Sequence, residues 1–273
     1  MREAPDSFYL VSAGANQRLD HDWIHKWMPT DGSVIYENLT NSMGVLVLAG
    51  PKSRDILSKI TRTDLSNENF PWLSSKKINV GLASCIAMRV NFVGELGWEL
   101  HHPIEYQNHI FDHLMESGKD HGLKPFGIRA MESLRTEKTY KLVGTEMSIE
   151  YAAFESGLDR FIHLNKGNFI GRDSLVKWQQ KGFKNKMVTL EVHDIEDADA
   201  LGNNPIYSNG EVIGRATGGN YGFRVKKSLA IAMVDPKFSN IGQKLEMDIL
   251  DKKHKVTVIQ DSPYDPLNDK LKQ

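Results

Sequence analysis

The chain has 273 residues, 40 % hydrophobic and 25 % charged, with 34 basic and 35 acidic side chains and a formal net charge of −1. That length holds two modest domains or one large one with its own core, and the charge balance argues against nucleic acid or an anionic membrane as a partner held by bulk charge. The single cysteine, Cys85, excludes an internal disulfide and fits a reducing compartment, read here as the cytoplasm; no run of about 18 apolar residues suggests a membrane span, and the polar start Met1 to Ser7 is not a signal peptide.

Along the chain, Phe8 to Ser12 reads as a short buried strand. Leu19, Trp23 and Trp27 recur on one face of a helix, and 43–49 reads as a second buried strand, followed by Gly50-Pro51 and a helix through Ile56 and Ile60. Val80 to Val93 looks like a strand, with Cys85 as an inert core thiol, and Trp98 to His101 like a short strand after a glycine-rich turn. Tyr106, Ile110, Phe111, Leu114 and Met115 mark an amphipathic helix ending near Gly118, and another helix runs from about Gly127 to Lys141. After Gly182, strands at about 186–193, 211–218, 228–234, 243–250 and 254–260 alternate with turn residues, which predicts a small antiparallel barrel. The tail from Asp261 is polar and is expected to wrap the surface or fray.

Two segments carry chemistry. In 92–101, two glycines bracket Glu95, and Trp98 and Glu99 point to opposite faces of a short strand. A carboxylate beside aromatics can accept paired hydrogen bonds from the ring N–H and amino group of a flat heterocycle, although spacing alone favours a surface Glu in a hairpin. In 127–144, Arg129 and Arg135 lie nearly two turns apart on a helix; Arg135 can pair with Glu132 on the surface, and either arginine can reach a carboxylate-bearing ligand. His21 and His25, like His109 and His113, are spaced i, i+4 as in zinc motifs, but no third ligand is evident, so they read as exposed helical histidines and no metal is expected.

Together, GELGWEL at 94–100, GIRAMESLRTEK at 127–138, ESGLDRFI at 155–162 and FIGRDSL at 169–175 resemble the glycine-cleavage T-protein, or aminomethyltransferase, folate-binding superfamily. The segment 209–234 and the ending DSPYDPLNDKLK look like the C-terminal part of dimethylglycine and sarcosine dehydrogenases. The resemblance implies an α+β fold, with a folate-binding domain at 1–182 lacking its N-terminal part and a β-barrel domain and tail at 183–273. It implies tetrahydrofolate as cofactor and a one-carbon acceptor role, forming 5,10-methylenetetrahydrofolate from an N-methyl-derived unit with a separate flavin-binding subunit. By position, Glu99 matches the family's pterin-anchoring glutamate and Arg129 its folate-contacting arginine. Phe92 stands where the family usually has tyrosine and loses that hydroxyl; by the same resemblance Tyr221 would sit near the cleft, and Phe92 and Trp98 are candidates for the aromatic wall, Trp98 less so because it should face away from Glu99. No G-x-G-x-x-G follows an N-terminal strand, so FAD is not expected in this chain. The family's catalytic aspartate lies on a strand upstream of Phe8, so no catalytic residue is assigned, and a non-catalytic folate-binding or assembly subunit, or an inactive remnant, stays open.

Overall fold

The computed structural model describes all 273 residues, Met1–Gln273. Packing divides the chain into one unit of Met1–Asn91, Glu95–Lys124 and Leu271–Gln273, and another of Phe92–Gly94 and Pro125–Lys270.

The first unit opens with a two-strand ribbon, β1 (Arg2–Ala4) and β2 (Ser7–Phe8), followed by α1 (Gln17–Trp27). Its centre is an antiparallel sheet of β3 (Met43–Ala49), β4 (Ser75–Val80), β5 (Ala83–Met88) and β6 (Gly97–Pro103), in the spatial order β3-β6-β5-β4. Strand alternation sorts the side chains. Leu46, Leu48, Cys85, Ala87, Trp98 and Leu100 share one face and form a core with Ile56 and Leu57 of α2 (Ser53–Ser58) and Ile110 and Leu114 of α3 (Gln107–Gly118). The opposite face carries Val45, Val47, Ile86, Met88, Glu99 and His101, which are opposed in register across β3, β6 and β5. Gly97 must be glycine, because a Cβ there would meet the Leu48 carbonyl oxygen of the neighbouring strand. The C-terminal residues are pinned: the buried Arg89 guanidinium donates to the carbonyls of Phe70, Leu271 and Gln273.

The second unit contains α4 (Ile128–Glu137), α5 (Arg172–Lys181) and the strands β7 (Lys186–Val192), β8 (Pro205–Ser208), β9 (Glu211–Gly222), β10 (Lys227–Val234), β11 (Lys244–Ile249) and β12 (Lys252–Ile259); the short α6 (Asp269–Lys272) starts in it and ends among the last three residues, which belong to the first unit. The six strands close into a barrel in the order β10-β7-β12-β11-β8-β9, which leaves no unpaired edge. Val188, Leu190, Ala230, Ala232, Met247, Val256 and Val258 fill it, alternating with outward residues. Small residues matter where strands crowd: a Cβ at Gly214 would strike the Met233 carbonyl, close to the register shift between Ile231 and Ala232.

Several sequence expectations change. Phe8 to Ser12 is not a buried strand: only Ser7–Phe8 pairs, and Phe8, Leu10 and Val11 are more than half exposed. An apolar run shows that residues could be buried, but nothing in this unit covers these. Helix α1 forms as its periodicity predicts, yet Leu19, Trp23 and Trp27 stay about half exposed. Val80 to Val93 is not one strand, because Gly81, with φ of 58°, turns β4 into β5. The helix at 127–141 stops at Glu137, with Thr139 at φ of 53° breaking it. The sequence reading missed β4, β8 and α5. The tail does not fray: Lys138 Nζ donates to the carbonyls of Tyr264 and Asp265 and to Asn268 Oδ1.

Candidate functional site

Glu99 lies mid-strand on the sheet face away from the core, paired with Val47 on one side and Met88 on the other. Its side chain is about 24 % exposed, so the carboxylate sits in a shallow apolar setting yet remains reachable. His101, two residues on and therefore on the same face, is 1 % exposed and places Nε2 3.2 Å from Glu99 Oε2. The Tyr9 hydroxyl lies 3.1 Å from His101 Nδ1, with the two rings edge-to-face. Burial pushes the Tyr9 phenol above its ordinary pKa, and the nearby Glu3 and Glu99 charges push the same way, so its hydroxyl stays protonated. Trp98, one residue earlier, points through the sheet into the core against Phe70 and has no exposed surface to offer a ligand. The alternation expected from sequence thus separates a reachable carboxylate from a core residue at adjacent positions.

The other candidates belong to the second unit. Arg129 is solvent-exposed on the first turn of α4. One turn further along the same helix face, Ser133 Oγ donates to the Tyr221 carbonyl over 2.6 Å, which ties α4 to β9. The Tyr221 ring is 41 % exposed and meets Phe223 edge-to-face. Burial pushes the Asp199 carboxyl above the ordinary carboxylate range, against the opposing pull of the Tyr221 backbone N–H. Phe92 stacks on Tyr140 at 5.7 Å with the rings 25° apart, and burial pushes the Tyr140 phenol up. A phenol therefore stands beside the position where Phe92 lacks one.

Arg135 is not the surface residue its spacing suggested. It is buried, donating to Glu132 at 2.7 Å, to the Tyr140 carbonyl at 2.9 Å and to Glu146 at 3.4 Å. Glu137, also fully buried, accepts from the Arg224 guanidinium and from the Arg224 and Val225 backbone N–H groups. The RTEK run at 135–138 thus holds the second unit together and leaves Arg129 as the arginine of α4 open to a ligand.

The two histidine pairs stack at 4.0 Å for His21 and His25 and 4.1 Å for His109 and His113, and no group of three or more His, Cys, Asp or Glu side chains is placed to hold a metal. A surface hollow of about 450 Å³ lies against Gln17, Arg18, His21, Asp22 and Asn38, and one of about 380 Å³ against Tyr151, Leu175 and Trp178; neither is lined by Glu99 or Arg129. The sequence reading missed Tyr9, His101, Met88 and Asp199. His101 was two positions from Glu99 and could have been found by alternation, but Tyr9 is 92 residues from His101 and carried no local signal.

Comparison with known proteins bears on these placements. A family model described as the GCVT N-terminal domain matches residues 1–166, and one described as the glycine cleavage T-protein C-terminal barrel domain matches residues 185–265. Human mitochondrial dimethylglycine dehydrogenase is 36 % identical over 95 % of this chain, which spans 30 % of that relative's length. An aminomethyltransferase of Thermoanaerobacter sp. (strain X514) is 32 % identical over 95 % of the chain and 69 % of its own length. The crystal structure of the glycine cleavage system aminomethyltransferase T from Bartonella henselae superposes with a TM-score of 0.78 over 92 % of this chain and 67 % of its own; at 20 % identity, that likeness shows a shared fold. The sequence motifs, the T-protein-like domain and the closed barrel agree, and the chain belongs to the glycine cleavage T-protein family.

Proposed function

We propose that this chain binds tetrahydrofolate and accepts a one-carbon unit derived from an N-methyl amine, forming 5,10-methylenetetrahydrofolate beside a separate flavin-binding subunit. Residues 1–182 would serve as the folate-binding part and 183–273 as the barrel and tail. The observation that carries the reading is Glu99, an accessible carboxylate set between Val47 and Met88 in a chain of this family. A pterin presents a ring N–H and an amino group to such a carboxylate, and the apolar flanks suit its flat faces. Arg129, exposed on α4, suits the polar groups of a folate; Phe92 and Tyr221 are the aromatic candidates. Tetrahydrofolate supplies the nucleophilic amines, and the protein's part is to bind and orient it.

A second reading, a folate-binding subunit with no chemistry of its own, is favoured by one observation. His101 is hydrogen-bonded to Tyr9 through one ring nitrogen and to Glu99 through the other, so this face presents an anchor rather than a separate acid or base. Methylenetetrahydrofolate formation with the chain added to a dimethylglycine-oxidising flavoprotein separates the readings: acceleration beyond the flavoprotein alone supports the first, and binding without acceleration the second. The single buried cysteine suits a reducing compartment, read as the cytoplasm, while the animal relatives are named as mitochondrial. No helix is long and apolar enough to cross a membrane.

The anchor is tested by Glu99→Ala and anaerobic calorimetry with tetrahydrofolate. Hydrogen bonds to a charged group contribute about 1.5–3 kcal/mol, so affinity should fall roughly 10- to 150-fold. Unchanged affinity removes Glu99 from the site.

A further inference from the structure

We infer that His101 is a positioning residue for the folate anchor: backed by Tyr9, it holds the Glu99 carboxylate in the orientation that receives the ligand. The inference rests on the reading of Glu99 as that anchor. It adds two residues outside the matched motifs and states what each atom does.

The hydrogen-bond chemistry fixes the roles. An ionised carboxylate only accepts, so the contact at 3.2 Å requires His101 Nε2 to carry the proton and donate to Glu99 Oε2. In a neutral ring Nδ1 is then the acceptor, and it receives the Tyr9 hydroxyl at 3.1 Å. Raised by burial, the phenol stays protonated and able to donate. The imidazole is 1 % exposed, so water does not replace either bond, and the ring, fixed at both nitrogens, has one orientation.

This arrangement answers a difficulty in the site. Glutamate has three rotatable side-chain bonds, and on a strand face flanked by Val47 and Met88 no lysine or arginine pairs with Glu99. An anchor free to rotate would lose that freedom on binding, at a cost in affinity. The donor at Oε2 removes the freedom beforehand. It leaves the other oxygen and the second lone pair of Oε2 for the paired donors of a heterocycle.

Two amide substitutions take the relay apart, because each mimics one ring nitrogen. In His101→Gln the amide nitrogen reaches the place of Nε2 and keeps the bond to Glu99. In His101→Asn the amide oxygen takes the place of Nδ1 and keeps only the bond to Tyr9. Tetrahydrofolate affinity is measured by anaerobic calorimetry for the full chain, these variants, Glu99→Gln and the double variant Glu99→Gln/His101→Asn, with urea unfolding confirming that each is folded. The expected pattern is a loss of about tenfold for His101→Asn, within about threefold of wild type for His101→Gln, and no further loss on adding His101→Asn to Glu99→Gln. A simple packing role would weaken Asn and Gln alike and add to the Glu99 variant; that pattern overturns the inference. So does wild-type affinity in His101→Asn when Glu99→Gln is itself weakened. If Glu99→Gln binds as wild type does, or the folded wild type binds nothing, the reading of the anchor fails and takes the inference with it. Should His101→Asn not fold, Tyr9→Phe decides: a loss of about two- to fivefold that vanishes in the Glu99→Gln background supports the relay, and equal affinity in both backgrounds overturns it.

Discussion

The two units of this protein handle buried polarity in opposite ways. In the first, the sheet core from Leu48 and Phe70 to Trp98 and Leu100 is apolar, and the polar side chains buried beside it, Arg89 and His102, are met by backbone carbonyls and the Gln107 amide rather than by opposite charge, while Glu99 lies on the other face. In the second, charges lie inside: Glu137 is held by Arg224, Glu146 by Arg135 and the Thr145 and Thr217 hydroxyls, and Glu155 by the backbone N–H groups of Ala152, Lys184 and Asn185. The difference teaches which motif residues to read as function. A family motif in the second unit can be strongly specified because it satisfies buried charge, whereas in the first Glu99 serves the structure as acceptor for the buried His101 and stays reachable from outside.

The comparison is broken most directly by removing one charge from a buried hub. Glu137→Ala removes the buried carboxylate that pairs with the Arg224 guanidinium and should cost about 3–5 kcal/mol in urea unfolding. A cost under about 1 kcal/mol would mean the hub is not holding the unit. Within the first unit, neighbours on one strand should behave oppositely. Trp98→Ala empties the core and should cost about 3–5 kcal/mol, while Glu99→Gln, on the open face, should change stability by less than about 1 kcal/mol and act on folate affinity instead.

The third prediction uses pH. Burial pushes the Cys85 thiol up to about 11, from 9.0 as its ordinary value. The folded chain therefore keeps the proton longer than the unfolded one, so the stabilisation is fully present below about pH 9 and is lost as pH rises through about 11. Other groups titrate in that window, so the quantity to measure is the stability difference between wild type and Cys85→Ala. It should shift against wild type by roughly 2–3 kcal/mol across the window; a difference independent of pH would contradict the burial argument. The smallest stability effect is expected at Arg129→Ala, within about 0.5 kcal/mol of wild type because the side chain is exposed, together with weaker tetrahydrofolate binding. Loss of stability without loss of affinity would place Arg129 with Arg135 among the structural arginines.

Much of this was legible in the chain. Alternation placed Trp98 and Glu99 on opposite faces, and the turn-punctuated strands after Gly182 close the barrel. What was not legible depends on distant partners. Arg129 and Arg135 look alike in sequence, and only the buried Glu146 and the Tyr140 carbonyl distinguish them. Tyr9 sits in an apolar run that reads as core strand, yet its neighbours are exposed and its hydroxyl goes to His101, a pairing no local pattern encodes. Gly81 was a visible turn signal, but the apolar residues on either side outweighed it.

The most direct test of the central claim is an anaerobic calorimetric titration of the purified chain with tetrahydrofolate, run beside Glu99→Ala. The account predicts saturable one-to-one binding by wild type and a loss of roughly 10- to 150-fold in the variant. A folded wild-type chain that binds no tetrahydrofolate, or a variant that binds as tightly, would contradict it.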